Sequence, residues 1–382
     1  MTKYSSSKYH DLLRGACEPA ALSNTVPDFA YNPLNLTGEL FQPVIDQKWV
    51  EGNQPPLWPE NKTFAVCLTH DVDIVSDYNF TQNMRSIWKV LKTRSNESVG
   101  ESLRLIFNYK MNALAGLMGK NDQVCKFEDW MALEQEYSAH STFFFPPEQV
   151  LKAHHSDCMY KYDQLINYNG KKISVADLML MLDEQGWEIG LHPSWNGHND
   201  LKEMIYQKDQ IEGVLGHPIQ SVRQHFLKYD PLSTHKVQSG AGFKYDSTLG
   251  YNDNLGFRRG TSYPFSCVDM NHGKQLPLLQ IPLIIQDGAL LASGKGMRVD
   301  EQKALEYIKV IVEEVKAVGG VLSLSWHPHT INWPGFKSLY QKTLEVVARE
   351  NPWFAPVSAI GEWWTKNSKI DLLKFTKNLE SS

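Results

Sequence analysis

The stretch Leu68-Thr-His-Asp-Val-Asp73 follows the apolar run Phe64-Ala65-Val66-Cys67 and sets His70, Asp71 and Asp73 at the end of what reads as a buried strand. A lone Asp at such a place usually caps a turn. Two carboxylates and an imidazole point instead to a metal ligand beside a base. Three more apolar runs end in ionisable residues: His192 after Trp187–Leu191, Arg223 and His225 within Ser221–His225, and His327 and His329 after Val321–Trp326. Asp and His together suit a borderline divalent cation, zinc first, with no cysteine needed. A catalytic site of that kind keeps about three protein ligands and an open position. The other groups fit hydrolysis: a carboxylate takes a proton from water, and a histidine across the site returns one to the leaving group. Arg223 fits a bidentate hydrogen bond to the carboxylate, keeping it ionised.

Taken singly, each residue has a plainer reading. His192 could bond backbone, and His327-Pro-His329 could be a surface turn. His70 points the opposite way from Asp71 along an extended chain, so it reads as packing or support. His198 reads as a loop residue, and His154-His155 as solvated.

Elements that would bring these groups together follow from the patterning. After the strands at Phe64–Leu68 and Ser141–Phe145, the alternation becomes regular. Ser174-Val-Ala-Asp177 has the form of a capping box, followed by a helix that stops at Gly186. Strand Trp187–His192 precedes a helix at 201–215 ended by Gly216 and Pro218. Further strands are expected at Ser221–His225, Leu278–Ile285 and Val321–Trp326, with helices around 305–315 and 336–350. Strand and helix in series imply parallel strands with right-handed crossovers. The carboxyl ends of such strands share one face, where distant residues converge. A closed or nearly closed α/β barrel is expected, with an open doubly wound sheet as the alternative. Residues 1–60, rich in Pro, Asn and Ser, read as an N-terminal extension. Residues 76–137 read as a helical insertion, with helical patterns at Met84–Leu91 and Glu128–Tyr137, and residues 371–382 as a tail.

Composition narrows the class. The chain has 382 residues, 42% hydrophobic and 21% charged, which is ordinary for a globular protein. Its net charge of −5, with both signs interspersed, gives no basic stripe for nucleic acid. No apolar run approaches the ~18 residues of a membrane span, and no secretory signal is read at the N-terminus. The five cysteines are scattered, with no C-x-x-C pair, which fits a reducing compartment; a cytoplasmic protein is expected. Eleven Trp and 16 Tyr are compatible with stacking on sugar faces.

The ordered segments AVCLTHDVD, STFFFPPE, EIGLHPSW, SVRQHFLKYD, YDSTLGY with GFRRGTSYPF, LSWHPHT and EWW resemble the polysaccharide deacetylase family. This is the carbohydrate-esterase group that shares the nodulation-type chitooligosaccharide deacetylase domain. The likeness runs over roughly residues 61–366, in a divergent branch with H-D-V-D where F-D-D-G is usual. It implies a distorted (β/α)7 barrel, a divalent metal usually taken to be zinc, and removal of acetyl groups from a carbohydrate substrate. Domain boundaries follow as 61–370 for the barrel, with the extension, insertion and tail given above. Carried over by the resemblance, Asp71 is the base, Arg223 orients it, and His327 is the general acid. Asp73 and His192 are metal ligands. A backbone N–H near His225 or Phe226 would stabilise the oxyanion. The sequence departs from the family where Asn196 stands four residues after His192 in place of a second histidine. His225 is the expected replacement, with Asn196 and His198 as alternatives. Asp287 could orient His327 or Arg223, or be a turn residue before Gly288. A second function class remains: a barrel impaired in catalysis that binds a glycan or a partner.

Overall fold

Seven consecutive buried residues, Ala65–Asp71, form the central strand β1. A strand buried on both faces is what a parallel sheet covered by helices requires. A computed structural model describes residues 9–16, 18, 32–76, 84, 87, 99–118, 125–291 and 296–380. The strands after β1 are β2 (Thr142–Phe145), β3 (Leu165–Tyr168), β4 (Lys171–Ser174), β5 (Glu188–Leu191) and β6 (Ser221–Val222). They are followed by β7 (Tyr245–Asp246), β8 (Phe265–Asp269), β9 (Lys274–Gln280), β10 (Ile285–Gln286), β11 (Val321–Ser325) and β12 (Trp353–Phe354). Ten of them make one sheet in the order β10-β11-β1-β2-β5-β6-β7-β9-β8, with β12 paired to the start of β1. β8 and β9 pair antiparallel; the other pairings in that sheet are parallel. β3 and β4 form a separate antiparallel hairpin. The sheet curls into a half-barrel wrapped by helices, the (β/α) barrel type expected from the sequence.

The helices sit where the caps put them. Ser174 and Asp177 close a capping box on helix Val175–Glu184, and Gly186 follows at φ 90°. Asp200 and Gly216 bound Leu201–Leu215, and Asp300 and Gly319 bound Glu301–Val318. The last of these lays Ile308, Ile311, Val312 and Val315 in one cluster with Leu322 and Leu324 of β11. Between residues 76 and 137, Val99–Leu117 and Phe127–Gln135 are helical. Met84 and Ile87 are also helical, while the rest of the Met84–Leu91 pattern lies outside the described residues. From the N-terminal segment, Leu12, Leu13, Leu34, Ile45 and Trp58 join the cluster that holds Tyr263, Ile360 and Trp364. Trp58 stacks on Trp364 and Trp353, so the Glu-Trp-Trp segment on helix Val357–Asn367 is a core element.

Two strands differ from the sequence reading. The apolar run Leu278–Ile285 is not one strand: it ends β9 beside β7 and begins β10 beside β11. Pro282 lies between them and has no N–H for a ladder. Ile281 donates to the Asp246 carbonyl at 2.8 Å and Ile284 to the Ser323 carbonyl at 3.2 Å, so these residues carry the chain across the sheet. The Ser221–His225 run leaves the sheet after Val222. His225–Leu227 then make a 3-10 turn with Phe226 and Leu227 left-handed, at φ 55° and 49°. Among the described residues, Cys67, Cys125, Cys158 and Cys267 are free thiols, and no helix is long and apolar enough to cross a membrane.

Close packing around β5 gives a test of this frame. A Cβ on Gly190 would lie 2.6 Å from Phe144 Cδ1 and 3.0 Å from the Ser221 carbonyl oxygen. Gly190→Ala should cost ~1–3 kcal/mol by overpacking, read as a lower urea midpoint; an unchanged midpoint would contradict the β2–β5–β6 packing.

Candidate active site

Period-2 alternation at the end of β1 assembles one side of the site. Asp71 and Asp73 share a face, while His70 and Val72 turn the other way. Val72 joins the core, and its N–H bonds the Phe144 carbonyl at 3.0 Å. His70 is fully buried behind the strand, with Nδ1 2.7 Å from the Trp326 carbonyl and Nε2 2.7 Å from Glu134 Oε1. It ties the end of β1 to the residue before His327, the supporting role its position suggested.

Three acceptor atoms converge on this face. His192 Nδ1 lies 2.7 Å from the Arg223 carbonyl oxygen, so Nδ1 carries the proton and Nε2 presents a lone pair. His225 Nε2 lies 2.8 Å from the Ser156 carbonyl, which leaves Nδ1 as its free acceptor. These two nitrogens are 3.1 Å apart, and Asp73 Oδ1 sits 3.4 and 3.5 Å from them. Asp73 Oδ1 is buried without a hydrogen-bond partner. Electron pairs so placed repel one another unless a cation stands among them. Asp73, His192 and His225 are therefore a fitting donor set for a divalent ion, each with one atom free to bind it. Burial would raise the Asp73 pKa, but His225 and His192 hold it well below the usual carboxylate range. Burial would lower that of His225, yet Asp73 and the Ser156 carbonyl bring it above its ordinary value.

Asp71 and His327 flank this group. Arg223, fully buried, reaches Asp71 Oδ1 with Nη1 at 3.0 Å, a single contact rather than the expected bidentate one. Three more of its donors are taken: Nη1 also meets Thr69 Oγ1 at 2.5 Å, and Nε and Nη2 bind the Ser247 carbonyl and hydroxyl. Burial works against ionised Asp71, but Arg223 keeps its pKa below the ordinary value. On the other side, His327 Nδ1 lies 2.7 Å from Asp287 Oδ1, and its main-chain N–H donates to Oδ2 at 2.9 Å. Asp287 thus orients His327 and not Arg223. His327 Nε2 faces Asp73 Oδ2 at 3.7 Å. Burial opposes its charge, but Asp287, and after it Asp73 and Asp71, push the pKa up to about 10. His329, two residues on, is pushed down to about 4 by burial and by His327.

The alternatives for the third ligand are placed elsewhere. Asn196 donates to the Lys152 carbonyl at 2.9 Å, and His198 Nδ1 pairs with the Trp195 carbonyl at 2.8 Å. His154, expected in solvent, is half-buried and stacks on Trp195. What the sequence did not disclose is the loop around residues 154–160. Ser156 orients His225, Asp157 accepts from the Trp195 N–H, and the Tyr160 hydroxyl donates to the Val72 carbonyl at 2.8 Å. Cys158 Sγ comes within 3.5 Å of His225 Nε2. The main-chain acceptors in this loop have no signature in residue type.

No family model and no curated protein matches the chain. Solved structures do. A protein assigned as a polysaccharide deacetylase from Mycobacterium smegmatis aligns over 84% of this chain and 96% of its own, at 19% identity and a TM-score of 0.53. A second one so assigned, from Pseudomonas aeruginosa PAO1, aligns over 84% and 97% at 14% identity and a TM-score of 0.52. The PuuE allantoinase aligns over 84% and 96% at 16% identity and a TM-score of 0.54. At these identities the likeness is one of fold.

Because the cation would replace a proton that His225 binds more tightly than an ordinary histidine, metal uptake should weaken as pH falls. Calorimetric titration with zinc between pH 8 and 5.5 should show falling affinity with proton release. His225→Ala should lower affinity at every pH, and Asn196→Ala should leave it unchanged. An effect of Asn196→Ala with none of His225→Ala would overturn the ligand assignment.

Proposed function

We propose that this polysaccharide-deacetylase fold carries a metal-dependent hydrolase that removes an N- or O-linked acetyl group from a carbohydrate. The observation that supports it is the convergence of Asp73 Oδ1, His192 Nε2 and His225 Nδ1 between an arginine-bound carboxylate and an aspartate-bound imidazole. Zinc best suits one carboxylate and two imidazoles, and when bound it would polarise the acyl carbonyl and lower the pKa of water toward ~7.

The chain's own groups carry the proton traffic. Asp71 stays ionised beside Arg223, and its oxygen not bound to Arg223 takes a proton from the attacking water. The Phe226 N–H, next to His225, makes no hydrogen bond among the described residues and is a donor for the oxyanion. His327 holds its proton at neutral pH, and Nε2–H returns it to the departing amine or hydroxyl. Phe226, 50% exposed, and Trp333, 47% exposed, follow His225 and His327 and offer apolar faces to a sugar ring. The free thiols suit a reducing compartment, and we place the reaction in the metabolism of surface polysaccharide. The likeness to an allantoinase favours a second reading, hydrolysis of an amide in a small molecule on the same machinery. Acetate among the products separates the two.

Three variants test the roles. Asp71→Asn should keep zinc and lose acetate release by at least ~10²-fold, and His327→Ala should do the same by ~10²–10⁴-fold; unchanged turnover in either would remove that residue from the reaction. Asp287→Asn should lower the His327 pKa from about 10. A general acid works below its pKa, so the alkaline limb of the rate profile should move down in pH. Imidazole NMR of the metal-free protein reads the pKa directly, and an unmoved value would refute the coupling.

A further inference from the structure

The two turns that carry His192 and His225 bring a second group of side chains together. Trp195 follows His192 and Lys228 follows His225 at the same spacing, and the Lys228 ammonium stands 3.6 Å over the indole of Trp195. The main chain holds both in place. The Trp195 N–H donates to Asp157 Oδ1 at 2.8 Å, and the Lys228 N–H donates to the His225 carbonyl at 3.2 Å. Phe226 joins this pair to the metal donors: its ring centroid lies 4.2 Å from that of His225 and 6.0 Å, edge-on, from that of Trp195. His225, Phe226, Trp195 and Lys228 therefore form a continuous path leading away from the metal donors. Lys228 is half-buried, and its ammonium makes no hydrogen bond or ion pair among the described residues. Asp157 is the carboxylate whose charge acts on it. Both Asp157 oxygens are engaged by main-chain donors, Oδ1 as above and Oδ2 by the His154 N–H at 2.5 Å.

An aromatic face attracts an ammonium and leaves its N–H groups free to donate. A lysine held in this way is a fixed point charge with open donors, and an anionic oxygen is the group it suits. We propose that Lys228 selects carbohydrates that carry an anionic substituent, a carboxylate or a phosphate, on the sugar unit next to the acetylated one. The inference rests on the carbohydrate reading given above. With the acetylated ring at the metal donors and against Phe226, the neighbouring ring falls beside Trp195 and Lys228. Lys228 is then a specificity residue that touches substrate and takes no part in the proton transfers.

Calorimetric titration of the zinc-loaded protein with chitotriose, 6-phosphochitotriose and trigalacturonate tests this. At least one of the two acidic trisaccharides should bind about 10–100-fold more tightly than the neutral one, the range of a charge-assisted hydrogen bond. Which of them does so identifies the anion as phosphate or carboxylate. Lys228→Met should erase the preference and Lys228→Arg should keep it. Lys274→Met, the same change at an exposed site on β9, should leave it in place. Equal affinity for charged and neutral trisaccharides, or a preference that survives Lys228→Met, would overturn the proposal. Acetate release from the acetylated forms answers separately. A Lys228-dependent preference without release would retire the deacetylase reading and leave the anion site standing, and release without a preference would do the reverse. If Lys228→Met fails to fold, a wild-type crystal soaked in the tighter acid decides: its anionic group should lie within hydrogen-bonding distance of Lys228 Nζ, and a ligand bound elsewhere would overturn the proposal.

Discussion

Three electron-pair donors that face one another within hydrogen-bonding distance, two of them with their protons directed elsewhere, set the physical constraint on which this site rests. The Arg223 carbonyl takes the proton of His192 at Nδ1, and the Ser156 carbonyl takes that of His225 at Nε2. What remains at the centre is a carboxylate oxygen and two lone pairs. Such a centre is unfavourable empty of positive charge, because each group was desolvated to reach it. A bound cation, or failing that a proton on His225, resolves the conflict, and the raised proton affinity of His225 reflects the same electrostatics.

The surrounding structure is organised to hold this arrangement still. β1 is the hub. Its inner face delivers Asp71 at the strand's end and Asp73 just beyond it, while on its outer face His70 is locked between the Trp326 carbonyl and Glu134. Glu134 also receives the Tyr340 hydroxyl at 2.7 Å and Trp187 Nε1 at 3.3 Å, so β1, helix Phe127–Gln135 and two outer elements meet in one buried network. Removing one member of such a network strands a buried charge, which typically costs ~3–5 kcal/mol. The two flanking groups are tuned in opposite directions by their partners. Arg223 keeps Asp71 ionised and Asp287 keeps His327 protonated. In the proposed hydrolysis, the carboxylate would accept a proton and the imidazole would give one, the division of labour that acid–base catalysis needs.

Much of this was legible in the sequence because strand ends are. An apolar run followed by Asp, His or Arg marks both the strand and the face on which its last side chains lie, and the parallel fold brings those faces together. The D-V-D spacing is a period-2 signal that places both carboxylates inward. Asn196 at the position of an expected histidine showed that a replacement was needed, and His225 comes to the other donors because β6 ends early and a left-handed turn follows. The rest was hidden for physical reasons. The Ser156 carbonyl, which settles the tautomer of His225, is a main-chain atom that any residue supplies. Strands of two residues, such as β7 and β12, are too short to show periodicity. The split between β9 and β10 is marked only by Pro282 inside an otherwise continuous apolar run.

The most direct test is a crystal structure of the zinc-loaded protein with anomalous data on both sides of the zinc edge. The account predicts a single peak among Asp73, His192 and His225, with metal–nitrogen distances of ~2.0–2.1 Å to His192 Nε2 and His225 Nδ1. A zinc peak beside Asn196 or His198 instead, or none between Asp73 and the two imidazoles at full loading, would contradict it.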